Sequence, residues 1–178
     1  MIREARPGVI PKMNIFYLDR DIGRAVRYHC DRHVVKMPLE TAQILCTALR
    51  RHGIDAPYRP THPKHPSVLW AGDSLAHWRW LRRFGKALCR EYSHRYGRRH
   101  ASEDVIDGLP EAPPIPDRGW RDPPQAMPEA CKRADAVAGY RAFYRAEKAA
   151  FAKWSNRRGP PFMRPAPALS AEQTADTA

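Results

Sequence analysis

The sequence is poor in the features that mark secreted, membrane and metal-cluster proteins. Its 178 residues hold four cysteines, Cys30, Cys46, Cys89 and Cys131, widely separated and without a CxxC pair. That argues against a disulfide framework and against a cysteine-based zinc site, and three of the four fall in apolar helical patterns as reduced core residues. Apolar runs extend only a few residues and the amino-terminal stretch lacks a signal-peptide core. Neither a membrane span nor export is expected, and the expected location is the cytoplasm, at the nucleoid of a bacterium or of a virus-infected cell. No internal repeat is found, and only Asn14 to Leu18 alternates well enough to suggest a strand. Acid is scarce too. Against 31 Lys and Arg stand 19 Asp and Glu, a formal charge of +12, and an excess of that size favours a polyanionic partner, nucleic acid first.

What is present is enough for one core. A chain of this length with 43% hydrophobic content suits a single domain, here expected to be mainly α, one compact helical unit with long proline-rich loops. Residues 1–12 read as a flexible extension and residues 164–178 as a disordered tail, leaving residues 13–163 as the folded domain and Met13 as the expected physiological start. Asp19 or Asp21 is placed to cap a helix running to Arg51, where His52-Gly53 supplies a stop. Pro38 is expected to kink or split it, so that Glu40 lies on a second, proline-initiated helix. A proline-rich turn from Tyr58 to Pro66 follows. A second long helix spans Asp73 to Tyr96, capped by Asp73, ended by Gly97 and turning Leu75, Trp78, Leu81, Leu88 and Tyr92 inward. Ser102 starts a short helix, Pro110 to Pro128 form a proline-dense loop, and the last helix covers about Ala134 to Lys153.

Within the first helical stretch, His29, His33, Lys36, Glu40, Gln43 and Thr47 follow one another at steps of four, three, four, three and four residues. That places them in one column beside the buried stripe of Val26, Cys30, Val34, Met37, Ile44, Leu45 and Ala48. An acid, an amine and imidazoles on one half-buried edge are the groups that nucleophilic and proton-transfer chemistry uses, which makes Glu40, Lys36 and His33 the candidate catalytic residues. The plain alternative is a solvated flank on which Lys36 and Glu40 form a helical ion pair.

Other groups fit a nucleic-acid partner. His62, Lys64 and His65 sit on a loop stiffened by prolines, suited to phosphate contact or simply to turn formation and helix capping. With His29 and His33 they also offer a four-histidine metal arrangement, which the spacing does not favour; no metal and no cofactor is expected. Arg79, Arg82 and Arg83 interleave with Trp78, Trp80 and Leu81, so that packing the aromatics inward leaves a cationic rail outside. Arg95, Arg98, Arg99 and His100 prolong that positive field. Trp154, Asn156, Arg157 and Arg158 combine an aromatic with an amide and two guanidiniums, groups able to stack on an extruded base and hold its backbone, or to pack onto the first helix.

Asp31-Arg32-His33-Val34-Val35, with Glu40 nine positions after the aspartate, resembles the D-x-H-[LV]-x5-E region of the phage endonuclease V type pyrimidine-dimer DNA glycosylases. The order of a His/Glu helix, an aromatic and arginine-rich helix, an Ile115-Pro116 loop and an aromatic carboxy-terminal segment is similar as well. The resemblance implies a small all-helical fold that flips a nucleotide, attacks the sugar carbon with an amine and breaks the strand by elimination. It assigns the essential glutamate to Glu40 and the motif histidine to His33. The family's nucleophile is a processed terminal amine on a short residue, and its glutamate is flanked by arginines. Here Met13-Asn14 would keep its methionine, Leu39 and Gln43 stand in the flanking places, and Lys36 is the internal amine one turn from Glu40. The expected function is a DNA glycosylase, with or without lyase activity, acting as a monomer on double-stranded DNA that carries a pyrimidine dimer or another damaged or modified base. The alternatives are a non-catalytic nucleic-acid-binding module and an enzyme of nucleobase or nucleotide modification.

Overall fold

The computed structural model describes residues 13–164; the extension read at 1–12 and the tail beyond Arg164 lie outside the described residues. The fold is mainly α, with six α-helices and no strand among the described residues. They are α1 (Ile22–Tyr28), α2 (Asp31–Arg51), α3 (Pro66–Asp73), α4 (Leu75–Tyr96), α5 (Glu103–Gly108) and α6 (Ala136–Glu147). No helix among them is long and apolar enough to cross a membrane.

Helices α2 and α4 form the central pair, with α1, α3 and α5 packed around them. Their approach is set by Gly85, where a Cβ would stand 2.8 Å from Thr41 Cγ2 and 3.1 Å from Ile106 Cδ1. The core is aromatic: Trp78, Phe84, Tyr140 and Tyr144 are fully buried, joined by Trp80. All four cysteines are free and buried, as their apolar surroundings suggest.

The last helix stops at Glu147, six residues short of the expected Lys153, and three further features differ from the sequence expectation. The first helical stretch breaks at His29 and Cys30 and runs unbroken through Pro38, so Glu40 shares α2 with His33 and Lys36. The break is held from far away: the Asp31 amide donates to the Lys153 carbonyl at 2.8 Å, and the Asp31 carboxylate accepts from the amide and hydroxyl of Ser155. Pro38 removes one helical bond, but α2 buries thirteen of its residues, and apolar burial on that scale outweighs the roughly 3 kcal/mol that an internal proline costs. Secondly, Ser74 rather than Asp73 caps α4. Its hydroxyl accepts from Ala76 N and Arg118 N while donating to the Gly119 carbonyl at 2.8 Å, and its extended backbone separates α4 from α3. Thirdly, Asn14 to Leu18 is no strand. It is a buried irregular thread, turned where the Leu18 amide donates to the Phe16 carbonyl and fixed by side chains such as Arg141, whose Nε donates to the Leu18 carbonyl. Asp21 does cap α1, and Gly97 ends α4 at φ +65°.

Candidate functional site

Helix α2 carries Lys36 and Glu40 one turn apart, and the thread that opens the described chain passes over them. Lys36 Nζ lies 2.7 Å from Glu40 Oε1, and the Asn14 backbone amide donates to Glu40 Oε2 at 3.2 Å. Glu40 is only 6% exposed, so its carboxylate is shielded from bulk water while its ammonium partner stays half in solvent. Burial pushes the Glu40 carboxyl up, against the pull of Lys36, the Asn14 amide and His62. A carboxylate in that setting answers strongly to a cation that develops beside it, because the low local dielectric leaves the field unscreened.

Asn14 is itself held rigidly. Its side-chain nitrogen donates to the Ala126 carbonyl at 2.8 Å, and its Oδ1 accepts from Ile15 N and from the Tyr140 hydroxyl, both at 2.8 Å. From the other side comes the 58–66 loop. Thr47, the last residue of the polar column, pins it by accepting from Thr61 N at 3.1 Å and donating to the Gln43 carbonyl. His62 stands at φ +48°, hydrogen-bonded to the Thr61 hydroxyl, and faces Glu40 electrostatically. His65 is buried and caps α3, its Nδ1 accepting from Ser67 N at 3.1 Å; burial and His62 push its pKa down. Lys64 is exposed on the same loop. The structure thus brings Lys36, Glu40, His62 and His65 to one neighbourhood.

His33 turns away from it. Its ring stacks on Phe16, centroids 4.1 Å apart, and its Nδ1 meets the Tyr144 hydroxyl at 2.5 Å. Burial, then His29, Lys148 and Lys36, push its pKa down to about 2, so it is a neutral packing histidine at working pH. His29 lies deeper, Nδ1 on the Ala25 carbonyl, pushed down to about 4 chiefly by burial. The four-histidine arrangement is not formed: among the described residues no group of three or more His, Cys, Asp or Glu is placed to hold a metal ion.

The cationic residues divide in two. Arg79 and Arg83 are exposed and share a shallow cavity of about 160 Å³ with Arg82 and Glu111, but Arg82 is tied to the Leu109 and Asp107 carbonyls. Trp154 is half-buried, its indole donating to the Tyr28 carbonyl. Asn156 bonds the Arg95 carbonyl, and Arg157 forks onto Glu91 at 2.9 and 3.0 Å. Those three are engaged within the fold, whereas Arg158 is exposed. The motif aspartate has a comparable place: Asp31 receives Arg95, which also binds Glu91.

Sequence reasoning missed Lys148. It follows α6, its Nζ 4.4 Å from the Phe143 ring centroid, and Phe143 packs on Phe16. Partial burial, and Lys36 nearby, hold its ammonium below the usual lysine range, against Glu147. The available signal was its place four residues past Tyr144, at the end of the inward face of α6. No family model, no curated protein and no solved structure matches the chain.

Proposed function

We propose that the chain is a DNA glycosylase, with a lyase step available through Lys36, that excises a damaged or modified base from duplex DNA. The observation that carries this reading is a buried carboxylate shared between an amine and a main-chain amide, Lys36–Glu40–Asn14, on a chain of charge +12. Breaking an N-glycosidic bond sends the bonding electrons out with the base and leaves positive charge on the sugar, which a shielded carboxylate stabilises. The 2.7 Å contact gives Lys36 a route to pass a proton to Glu40. That proton passes on to the departing base, restoring the carboxylate, and the neutral amine bonds to C1′. A proton moves from its nitrogen to O4′ as the C1′–O4′ bond breaks to leave a protonated imine, and loss of a C2′ proton to Glu40 then expels the 3′ phosphate. Lys64 supplies positive charge beside the site, and Arg79, Arg83 and Arg158 supply it elsewhere on the surface for the strand.

The test is incubation with oligonucleotides that carry pyrimidine dimers, abasic sites or modified bases, resolving base release from strand scission. Borohydride should trap a covalent complex that Lys36→Met abolishes; base release without trapping assigns the attack to water. Glu40→Gln should bind DNA and release no base, and unchanged turnover would remove Glu40 from the chemistry. One observation favours the non-catalytic alternative: Asp31 and His33, half of the resembling motif, are engaged in packing. That alternative predicts salt-sensitive binding with no product from any substrate.

A further inference from the structure

Four large hydrophobic side chains stand out among the described residues by their exposure, and two share one helix: Val35 is 47% exposed and Leu39 41%. They lie one turn apart on α2, on the turn that contains Pro38, and Leu39 directly precedes Glu40. Core packing explains neither. With about 100° between successive residues, Leu39 projects between Val35 on one side and the Arg32–Lys36 column on the other, and Glu40 flanks the same face. Arg32 and Lys36 are exposed, and Lys148 is near enough to lower the His33 pKa along with Lys36.

The backbone beneath is braced. The Val35 carbonyl bonds His100 Nε2 at 2.9 Å, and the opposite wall of α2 is locked against α4 at Gly85. An apolar knob on a stiff support, bordered by cations and one residue from a buried carboxylate, complements a polyanion with an apolar interior, which describes stacked bases between phosphate strands.

We infer that Leu39, backed by Val35, is the wedge that enters the base stack of a DNA duplex at the target step while the exposed Arg32 meets a flanking phosphate and Lys36 stays with Glu40. The chemistry after insertion rests on the glycosylase reading; insertion itself does not. An apolar wedge replaces part of the stacking that an extruded nucleotide gives up. Leu39 is therefore a positioning residue, needed in proportion to how firmly the target base is stacked and paired.

The probe is a duplex with a single cyclobutane thymine dimer and 2-aminopurine at the adjoining position, compared with the same lesion in a single strand. The protein should raise 2-aminopurine fluorescence on binding the duplex, before and apart from any bond breaking. Leu39→Ala should lose that rise and should lower glycosidic-bond cleavage in the duplex ~10-fold or more, read as alkali-labile breaks because the cut thymine stays tethered through the cyclobutane ring, with a much smaller loss on the single strand, and Leu39→Met should recover most of both. Equal losses on the two substrates, or a lowered melting temperature of Leu39→Ala, would show Leu39 packed against this chain or a second copy and overturn the wedge. So would unimpaired cleavage in the duplex by Leu39→Ala, which leaves the glycosylase reading intact. A fluorescence rise that depends on Leu39, with no glycosidic bond cut in any substrate, keeps the wedge and ends the glycosylase reading. Absence of duplex binding ends both.

Discussion

Mild acid should destabilise this protein markedly, and the reason is its buried neutral histidines. His29 and His33 are 0% and 7% exposed, and their pKa values are pushed down from 6.5 to about 4 and about 2 by burial first of all. In the unfolded chain both regain ordinary values, so below about pH 6.5 the unfolded state binds protons that the folded state refuses, and stability falls with pH. The window runs from about 6.5 down to about 4 for His29 and further for His33. Each unit of pH in that window costs about 1.4 kcal/mol per histidine, so lowering the pH to 5 removes about 2 kcal/mol for each and about 4 for the pair. Against a typical total of roughly 5–15 kcal/mol that is a large share. His65 and His77, also pushed down by burial, act in the same direction. Glu40 opposes them: its raised pKa makes its protonated form the one the fold prefers, so its contribution is lost as pH rises through the folded value. Asp31 and Glu91, held low mainly by Ser155 and by Arg157 and Arg95 against burial, contribute stability that disappears only below the ordinary carboxylate range. Urea unfolding between pH 7 and pH 5 reads the slope directly, and His29→Gln, which can keep a bond to the Ala25 carbonyl, should reduce it by close to one proton, about 1.4 kcal/mol per pH unit. Stability that stays flat over this range in the unmodified protein would refute the account.

Other perturbations have equally definite expectations. Arg95→Met leaves Glu91 and Asp31 without their shared guanidinium and should cost about 3–5 kcal/mol in urea unfolding, the range for removing one partner of a buried ion pair. Gly85→Ala places a methyl group 2.8 Å from Thr41 Cγ2 and should lower stability by about 1–3 kcal/mol, read as a shift in the urea midpoint. Ser74→Ala removes a cap and the hydroxyl's contacts with Asp117, Arg118 and Gly119 and should cost about 1–2 kcal/mol by the same measurement. DNA affinity should fall steeply with salt, and Arg158→Ala should reduce the slope of log K against log salt by about one, whereas Arg157→Ala should mainly lower stability because its guanidinium is occupied by Glu91.

Much of the helical fold was legible because period and punctuation agree where packing is local. The inward face of α4, its stop at Gly97 and the cap at Asp21 are all written in adjacent residues. What was hidden depends on partners distant in sequence. Nothing near Cys30 announces a helix boundary, since the group that receives the Asp31 amide is the Lys153 carbonyl. Pro38 is a strong local stop signal overruled by the burial of α2 on both sides. Helix α3 falls between the turn read to Pro66 and the helix read from Asp73, because eight residues carry too little periodicity to stand out. At the candidate site, the meeting of Lys36 and Glu40 followed from spacing alone. The Asn14 amide that completes the contact has no side-chain signature, and the burial of His33 against Tyr144 required knowing where α6 lies.

The clasp made by Asp31, Glu91 and Arg95 with Ser155 and Arg157 joins residues up to 124 positions apart, and it governs how the molecule can come into being. During synthesis the first two thirds of the polypeptide emerge with Arg95 already supplied with its partners Asp31, Glu91 and the Arg27 carbonyl, while the two acids still await Ser155 and Arg157. A chain cut before residue 153 would therefore keep both buried carboxylates yet lack Ser155 and Arg157, the partners that complete their shells.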